Sequence, residues 1–291
     1  MRKFQSLILI LSLFLICFNS SSALEIFPLE DVRSGLQGVG RTVIAGTEIE
    51  DFEVEVLGLV PQGPPLGNLI MVKVGGEVMD KTGGIALGMS GTPVYIGNQL
   101  LGAIGYTYSL TDHRIGLVTP AEAMFKIYDQ IPGQILDLPF GAAPVRSPLM
   151  VGGMNQRVRD FLERALASYQ IQVMNGPALK KDMQSLPLEA GSMLGVQLLR
   201  GDFQVATFGT VTHVEEDGRF LAFGHPFTHR GSVDFFATGA YVHYTLPSLD
   251  VPYKIVSLGS EIGGVFQDRA AGLGGNLGIE PPSLPVRIVV E

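Results

Sequence analysis

The amino-acid sequence predicts a mainly β protein with a small α/β insertion, and three observations lead to this fold class. Glycine accounts for 37 of 291 residues, roughly twice the usual share of about 7%, which favours many turns. Short β-branched segments separated by Gly and Pro, among them residues 41–46, 51–60 and 68–76, have the pattern of strands. Hydrophobic residues make up 46% of the chain, which is enough for one large core or two modest ones.

The first 23 residues have the three parts of a secretory signal peptide. A basic tip, Arg2 and Lys3, precedes an apolar stretch over residues 7–18, and small residues lead up to Ala23. We expect cleavage after Ala23, with an uncleaved membrane anchor as the alternative. The single cysteine, Cys17, lies inside this segment, so the mature chain is expected to have neither a disulfide nor a thiol nucleophile.

Residues 24–130 are predicted to form a β half that ends in a helix. The run after Ser90 contains two strand-like segments joined by Gly97 and Asn98, which predicts a tight hairpin. Thr119 and Glu122 have the spacing of a capping box, with a proline between them at the first helical position. This pattern predicts a helix over residues 121–130.

The rest of the chain divides into an insertion and a second β half. Residues 131–150 are rich in proline and small residues, and apolar residues at helical spacing over 158–169 predict an amphipathic helix. From residue 191 onward, strand-like segments return, with Asp217 and Gly218 as a hairpin turn. The predicted domains are therefore a signal peptide (1–23), a serine-bearing β half (24–130), a linker with a small α/β insertion (131–190) and a histidine-bearing β half (191–291).

Ser90 is the candidate nucleophile because of the residues around it. Gly88, Ser90, Gly91 and Pro93 form a G-x-S-G-x-P motif, the arrangement found around the nucleophile of chymotrypsin-like serine proteases. The main-chain N–H groups of Gly88 and Ser90 would bind the oxyanion. A serine between glycines is also typical of a plain tight turn, which is the structural alternative.

His225 is the candidate general base, since a serine needs a base near neutral pH. It lies at the end of an apolar strand, between Gly224 and Pro226, whereas His113, His213 and His243 have the pattern of ordinary surface or hydrogen-bonded histidines. His225 and His229 have helical metal-ligand spacing, but the neighbouring Pro and Gly oppose a helix, so no metal site is predicted.

Three segments resemble the SpoIVB peptidase family, peptidase family S55. Residues 81–106 (KTGGIALGMSGTPVYIGNQLLGAIGY) resemble its serine region, residues 209–227 (GTVTHVEEDGRFLAFGHPF) resemble its histidine region, and residues 262–278 resemble a glycine-rich stretch after that histidine. The resemblance implies a chymotrypsin-like double β-barrel, with Ser90 as nucleophile and His225 as general base. In the sporulation peptidase the histidine region comes first, so the two regions here are in exchanged order.

The third catalytic residue is less well defined. The family has an aspartate shortly before the serine, and the resemblance implies Asp80 for this role, with Glu77 as an alternative in the same stretch. Asp234 and Asp268 are rivals, and a turn-capping or surface role is the alternative for each of them.

Taken together, these features predict a secreted serine endopeptidase that cleaves protein or peptide substrates without a cofactor. Its expected place is the periplasm, the outside of the cell or the outer face of the membrane, where a membrane-associated partner is possible. The chain has a net charge of −8 and no long basic run, so nucleic acid is not expected as a partner. The alternative is a catalytically inactive, peptidase-like binding or envelope-associated module.

Overall fold

The structure is a computed structural model that describes residues 24–64, 66–129, 138–139, 141–145, 148–167, 171–176 and 187–289. The predicted signal peptide lies outside the described residues. No helix in these ranges is long and apolar enough to cross a membrane.

A closed barrel of six antiparallel strands forms the first half. Its strands are β1 (Gln37–Val43), β2 (Ile49–Val60), β3 (Leu69–Gly75), β4 (Thr92–Ile96), β5 (Gln99–Tyr108) and β6 (Ile115–Pro120). They follow the order β4-β1-β2-β3-β6-β5, and pairing of β4 with β5 closes the ring. Because successive side chains of a strand point to opposite faces, the buried positions alternate along β2, where Phe52, Val54 and Val56 enter the core.

A second closed barrel forms from the last third of the chain. Its strands are β10 (Met193–Leu199), β11 (Gln204–Val214), β12 (Arg219–Ala222), β13 (Gly231–Leu246), β14 (Tyr253–Arg269) and β15 (Gly272–Leu277). They follow the order β10-β13-β14-β15-β12-β11, and pairing of β10 with β11 closes the ring. Both predicted hairpin turns, at Gly97–Asn98 and at Asp217–Gly218, are confirmed.

The two barrels share buried contacts. One apolar cluster contains Leu117 and Met124 from the first half together with Leu221 and Ala271 from the second. The Thr245 hydroxyl also donates to the Ile44 carbonyl at 2.7 Å. The prediction of a mainly β, chymotrypsin-like double barrel is thereby confirmed.

The predicted α/β insertion lies at the edge of the second sheet. Strand β7 (Ala142–Pro144) extends the first sheet, and β8 (Leu149–Gly152) pairs with β11 in the second. A helix over Gln156–Leu166 then leads to β9 (Val173–Asn175), which runs parallel to β8. The limits of 131–190 stay a prediction, since 130–137 and 177–186 lie outside the described residues.

In the described ranges the α-helices are α1 (Gly76–Thr82), α2 (Ala121–Phe125) and α3 (Gln156–Leu166), and a 3₁₀ turn over Lys126–Tyr128 continues α2. Helix α1 is not among the predicted elements, and the start of α2 also differs from prediction. The prediction of a capping box before α2 is wrong. The Thr119 hydroxyl donates to the Gly224 carbonyl of the other barrel, and the Glu122 carboxylate accepts from the Leu29 N–H. Tertiary partners have replaced the local cap.

Gly91 provides a test of how closely the barrels approach. Its φ is +91°, and a Cβ there would overlap the Thr210 carbonyl oxygen and the Phe223 nitrogen. Gly91→Ala is therefore expected to lower the free energy of unfolding by more than about 2 kcal/mol, because both backbone strain and a clash are introduced. Urea unfolding measures this change.

Gly97→Ala is the matched control, because Gly97 also has positive φ, +58°, but open space around it. This control is expected to cost about 1 kcal/mol from backbone conformation alone. Equal losses for the two variants would contradict close docking at Gly91.

Candidate active site

The serine loop leads from helix α1 into β4, and most of its residues are buried. Gly83 caps α1 in a left-handed conformation, and Gly88 and Gly91 adopt φ values of 95° and 91° on either side of Ser90. Ser90 has no exposed surface, and its hydroxyl has no hydrogen-bond partner among the described residues.

The loop is held against β11 of the second barrel by hydrogen bonds to its backbone. The Ser90 carbonyl accepts from the Thr210 N–H at 2.7 Å, and the Gly88 carbonyl accepts from the Thr210 hydroxyl at 3.1 Å. The Gly91 carbonyl accepts from the Thr212 hydroxyl at 2.8 Å. The serine of one barrel is therefore fixed on the other by main-chain groups, and its side chain takes no part.

His225 lies in the loop that follows β12 and is also fully buried. Its Nδ1 is 2.8 Å from the Pro226 carbonyl oxygen, a distance at which an Nδ1–H donates. The imidazole contacts the rings of Tyr106 and Phe223, at centroid distances of 6.1 and 5.7 Å. Tyr106 belongs to β5, so the ring of the candidate base is enclosed by residues of both barrels.

Phe223 lies near both the serine and the histidine. A Cβ at Gly209 would lie 3.0 Å from Ser90 Oγ and would overlap the Phe223 ring, so the hydroxyl and this ring lie over the same glycine. Since Ser90 Oγ has no partner in the described part of the chain, the Ser90–His225 hydrogen bond is not formed. Phe223 has a φ of 70°, which is strained for a bulky side chain.

The two predicted oxyanion donors, the Gly88 and Ser90 N–H groups, are not used in backbone hydrogen bonds of the described structure. Among the described residues, neither the Gly88 N–H nor the Ser90 N–H donates to a backbone carbonyl, whereas the next amide, from Gly91, donates to Ile104 at 2.8 Å. Free amides with positive charge character at a glycine-rich turn can bind an oxyanion.

A buried lysine beneath the serine loop was missed by sequence reasoning. Lys254 is 2% exposed, and its side chain would lie 3.3 Å from a Cβ at Gly88. Its Nζ donates to the Thr42 hydroxyl at 2.9 Å and contacts Met193 Sδ at 3.2 Å. Burial lowers the pKa of Lys254 to about 7. A lysine near a strand end carries no sequence signal for such burial.

The candidate acids separate into surface and buried groups. Asp80 pairs with Arg114 at 2.7 Å, with its side chain 63% exposed, and Glu77 pairs with Lys81 on the same helix. Asp234 is exposed on β13. Asp268 is fully buried and accepts hydrogen bonds from the loop after His225. Asp80 has no contact with the histidine loop, and its role as the acid stays a prediction.

Two of the other histidines have polar partners away from Ser90. His213 lies 3.7 Å from Glu215, and His243 bonds to the Ser257 hydroxyl at 2.7 Å. Within the described ranges, no group of three or more His, Cys, Asp or Glu residues could hold a metal ion.

The chain folds into two closed antiparallel barrels, which is the chymotrypsin-like class of double-barrel fold. The first barrel carries the G-x-S-G-x-P loop and the second carries the buried histidine. Residues 17–125 match the family model of the SpoIVB peptidase S55, so this part of the chain is similar to that family. This match confirms the resemblance of the serine region. No match was found among curated proteins or solved structures. The histidine region lies outside the matched residues, and the exchanged order stays a prediction.

Lys254 gives a pH-dependent prediction for stability. With a pKa lowered from 10.5 to about 7, the folded chain lacks a proton between these values that the unfolded chain binds. The free energy of unfolding should therefore rise with pH across this window, by roughly 5 kcal/mol at most. Lys254→Met should remove the rise and stabilise the protein at pH 7, as urea titrations at several pH values would measure.

Lys73→Met is the control, because Lys73 is an exposed lysine on β3. A Lys254→Met slope equal to that of the wild type would mean that the amine is not buried as described.

Proposed function

We propose that this protein is an exported serine endopeptidase in which Ser90 is the nucleophile and His225 the general base. The Gly88 and Ser90 N–H groups would stabilise the oxyanion. The family match to residues 17–125 supports a peptidase, and the contacts at the barrel interface support these residue roles.

The Ser90 hydroxyl is the single observation that carries the proposal. It is buried and has no partner in the described part of the chain, although the loop around it is well bonded through its backbone. A buried hydroxyl without a hydrogen bond costs about 1–3 kcal/mol, and alanine would avoid that cost. A serine at this position is therefore best explained by chemistry at its oxygen.

The proposed reaction is acyl transfer to Ser90 followed by hydrolysis. Ser90 Oγ forms a bond to the peptide carbonyl carbon as its proton passes to His225, and the carbonyl oxygen becomes an oxyanion between the two amides. Cleavage of the C–N bond then takes the proton from His225 to the leaving amine. Water attacks the acyl-enzyme in the same manner and regenerates Ser90.

The described conformation is closed to substrate. Ser90 and His225 are both fully buried, the Phe223 ring packs on the imidazole, and this ring and Ser90 Oγ lie over the same glycine, Gly209. Turnover therefore requires Phe223 to leave its position so that the hydroxyl and the imidazole can meet. The missing Ser90–His225 hydrogen bond is also what favours the second candidate function, a peptidase-like binding module without turnover.

Substrate and location are part of the same proposal. A double-barrel peptidase acts on protein or peptide substrates, and the predicted signal peptide supports export to the periplasm, the cell exterior or the outer membrane face. A membrane-associated partner is compatible with that location.

A fluorophosphonate probe tests the proposed nucleophile and base in the full chain. Probe attachment should be absent in Ser90→Ala and at least about 100-fold slower in His225→Gln, because general-base assistance accounts for that much of such reactions. Mass spectrometry of the labelled chain identifies the modified residue.

Ser109→Ala is the control, since Ser109 is an exposed serine at the end of β5. Labelling that persists in Ser90→Ala would contradict the assignment. A folded wild type that never reacts, even in the Phe223 variant described next, would favour the binding module.

Phe223 is expected to limit access to position 90. In a chain with Cys17→Ser and Ser90→Cys, the introduced thiol is the only one, and its reaction with a disulfide reagent reports access without requiring catalysis. Adding Phe223→Leu should speed this reaction at least about tenfold, because the ring over Gly209 is removed.

Phe220→Leu is the matched control, because Phe220 is a fully buried residue of β12, the strand just before Phe223, and its ring lies over Gly275 instead. Equal acceleration by both variants would indicate general loosening of the barrel and not a gate at Phe223.

A further inference from the structure

The loop after His225 closes around a buried carboxylate. Asp268 lies near the end of β14 and has no exposed surface. Its Oδ1 accepts from the Phe227 N–H at 2.8 Å. Its Oδ2 accepts from the Thr228 N–H at 2.6 Å, the Thr228 hydroxyl at 2.7 Å and the His229 N–H at 3.0 Å. Three successive amides and one hydroxyl thus converge on a single side chain.

One of these bonds connects Asp268 to the imidazole through a single peptide group. The Pro226 carbonyl and the Phe227 N–H belong to the same planar peptide unit, in which the two groups point in opposite directions. His225 Nδ1 lies 2.8 Å from that carbonyl oxygen, and the Phe227 N–H donates to Asp268 at 2.8 Å. The order of contacts is therefore imidazole, peptide, carboxylate.

Hydrogen bonds in such a chain polarise one another. A carboxylate that accepts from the peptide N–H increases the negative charge on the carbonyl oxygen of the same peptide, which makes that oxygen a better acceptor. The Nδ1–H of His225 is then held on Nδ1, and Nε2 keeps the lone pair that a general base needs. A direct Asp–His hydrogen bond serves the same two purposes in a Ser-His-Asp triad.

The loop is also strained in a way that only firm anchoring can maintain. Phe223 and His229, on either side of the peptide that carries the contact, have φ values of 70° and 58°. Non-glycine residues keep such angles only where the surrounding structure holds them. Asp268 binds the His229 end, and the Thr119 hydroxyl binds the Gly224 carbonyl at 2.5 Å at the other end.

We propose that Asp268 is the positioning residue of His225, and that it acts through the Pro226–Phe227 peptide and not through a direct bond to the imidazole. This assignment rests on the proposed function of Ser90 and His225. It places the acid of the site on β14, after the histidine, and it gives the exposed Asp80 no part in the reaction.

Asp268→Asn tests the contribution of the negative charge. The amide oxygen of asparagine can still accept from the Phe227 N–H, while its NH2 group takes the place of Oδ2 and loses the bonds from Thr228 and His229 together with the charge. Fluorophosphonate labelling of Ser90 should slow at least tenfold, and the pH of half-maximal labelling should fall, because the imidazolium loses its stabilising charge. In the described structure, two titratable side chains from other elements face this loop. The Tyr106 ring on β5 packs on the imidazole of His225, and Asp268 on β14 accepts from the Phe227 N–H.

Thr228→Val separates this role from simple anchoring. The variant removes one donor to Oδ2 but keeps the carboxylate charge and the Phe227 bond. We expect its labelling rate and pH profile to stay near those of the wild type. A loss as large as that of Asp268→Asn would mean that Asp268 only anchors the loop, which overturns the inference.

Asp217→Asn is the matched control, and Asp80→Asn tests the rival acid. Asp217 is an exposed aspartate that also accepts from a backbone amide, that of Arg219 at 3.0 Å. Asp217→Asn should label at the wild-type rate. Slowing in Asp80→Asn but not in Asp268→Asn would return the acid to Asp80.

The ring proton of His225 provides a readout that does not depend on turnover. In the nitrogen–proton spectrum of the wild type, the signal that disappears in His225→Gln should be a downfield Nδ1–H, and it should move upfield in Asp268→Asn. A wild-type ring protonated on Nε2 overturns the inference, whether or not Asp268→Asn folds.

The outcomes also separate this inference from the proposed function. Labelling of the wild type with an unchanged rate and pH profile in folded Asp268→Asn overturns the inference and leaves the peptidase in place. A wild type that never labels overturns the peptidase, and the role of Asp268 in catalysis with it, even if the ring proton responds to Asp268→Asn.

Discussion

The close approach of the serine loop to strand β11 is the contact on which the rest of the site depends. Gly91 has no room for a Cβ, because the Thr210 carbonyl and the Phe223 nitrogen occupy that space. The Ser90 carbonyl and the Gly91 carbonyl both accept from β11. The loop therefore behaves as part of the second barrel's wall although it belongs to the first. Without this contact, the proposed nucleophile and the proposed base would be held apart on their two barrels.

The same closeness explains why the site is shut. The backbone bonds of the loop need a short distance between the barrels, and at that distance Ser90 and His225 have no exposed surface. The Phe223 ring packs on the imidazole and lies over Gly209, as Ser90 Oγ does, and Phe223 has a strained φ of 70°. Strain of this kind, which costs about 1–3 kcal/mol per residue, lowers the free energy needed to reach an open state. The close packing of the two barrels thus both buries the site and places the strained Phe223 where its movement would open it.

Buried charge is distributed unevenly around the site. On the histidine side, Asp268 is saturated by donors from the loop that it holds. On the serine side, Lys254 has only a hydroxyl and a thioether as partners in the described structure, and burial lowers its pKa to about 7. A carboxylate with four donors is stable in the interior, whereas an amine without a counter-charge is not. The serine side is therefore the part of the interface whose stability should respond most to pH.

Much of this protein was determined by its sequence alone. Alternating β-branched segments and glycine turns specified the mainly β class, and both predicted hairpins formed because a short turn depends on neighbours in the chain. The G-x-S-G-x-P motif singled out Ser90 for the same reason, since its glycines are required by local backbone angles. Only the tertiary structure decided the partners of Thr119, the burial of Lys254 and the position of Asp268 beside the histidine loop. Those contacts join residues far apart in the chain, and their chemistry depends on the distance between two barrels, which no local pattern encodes.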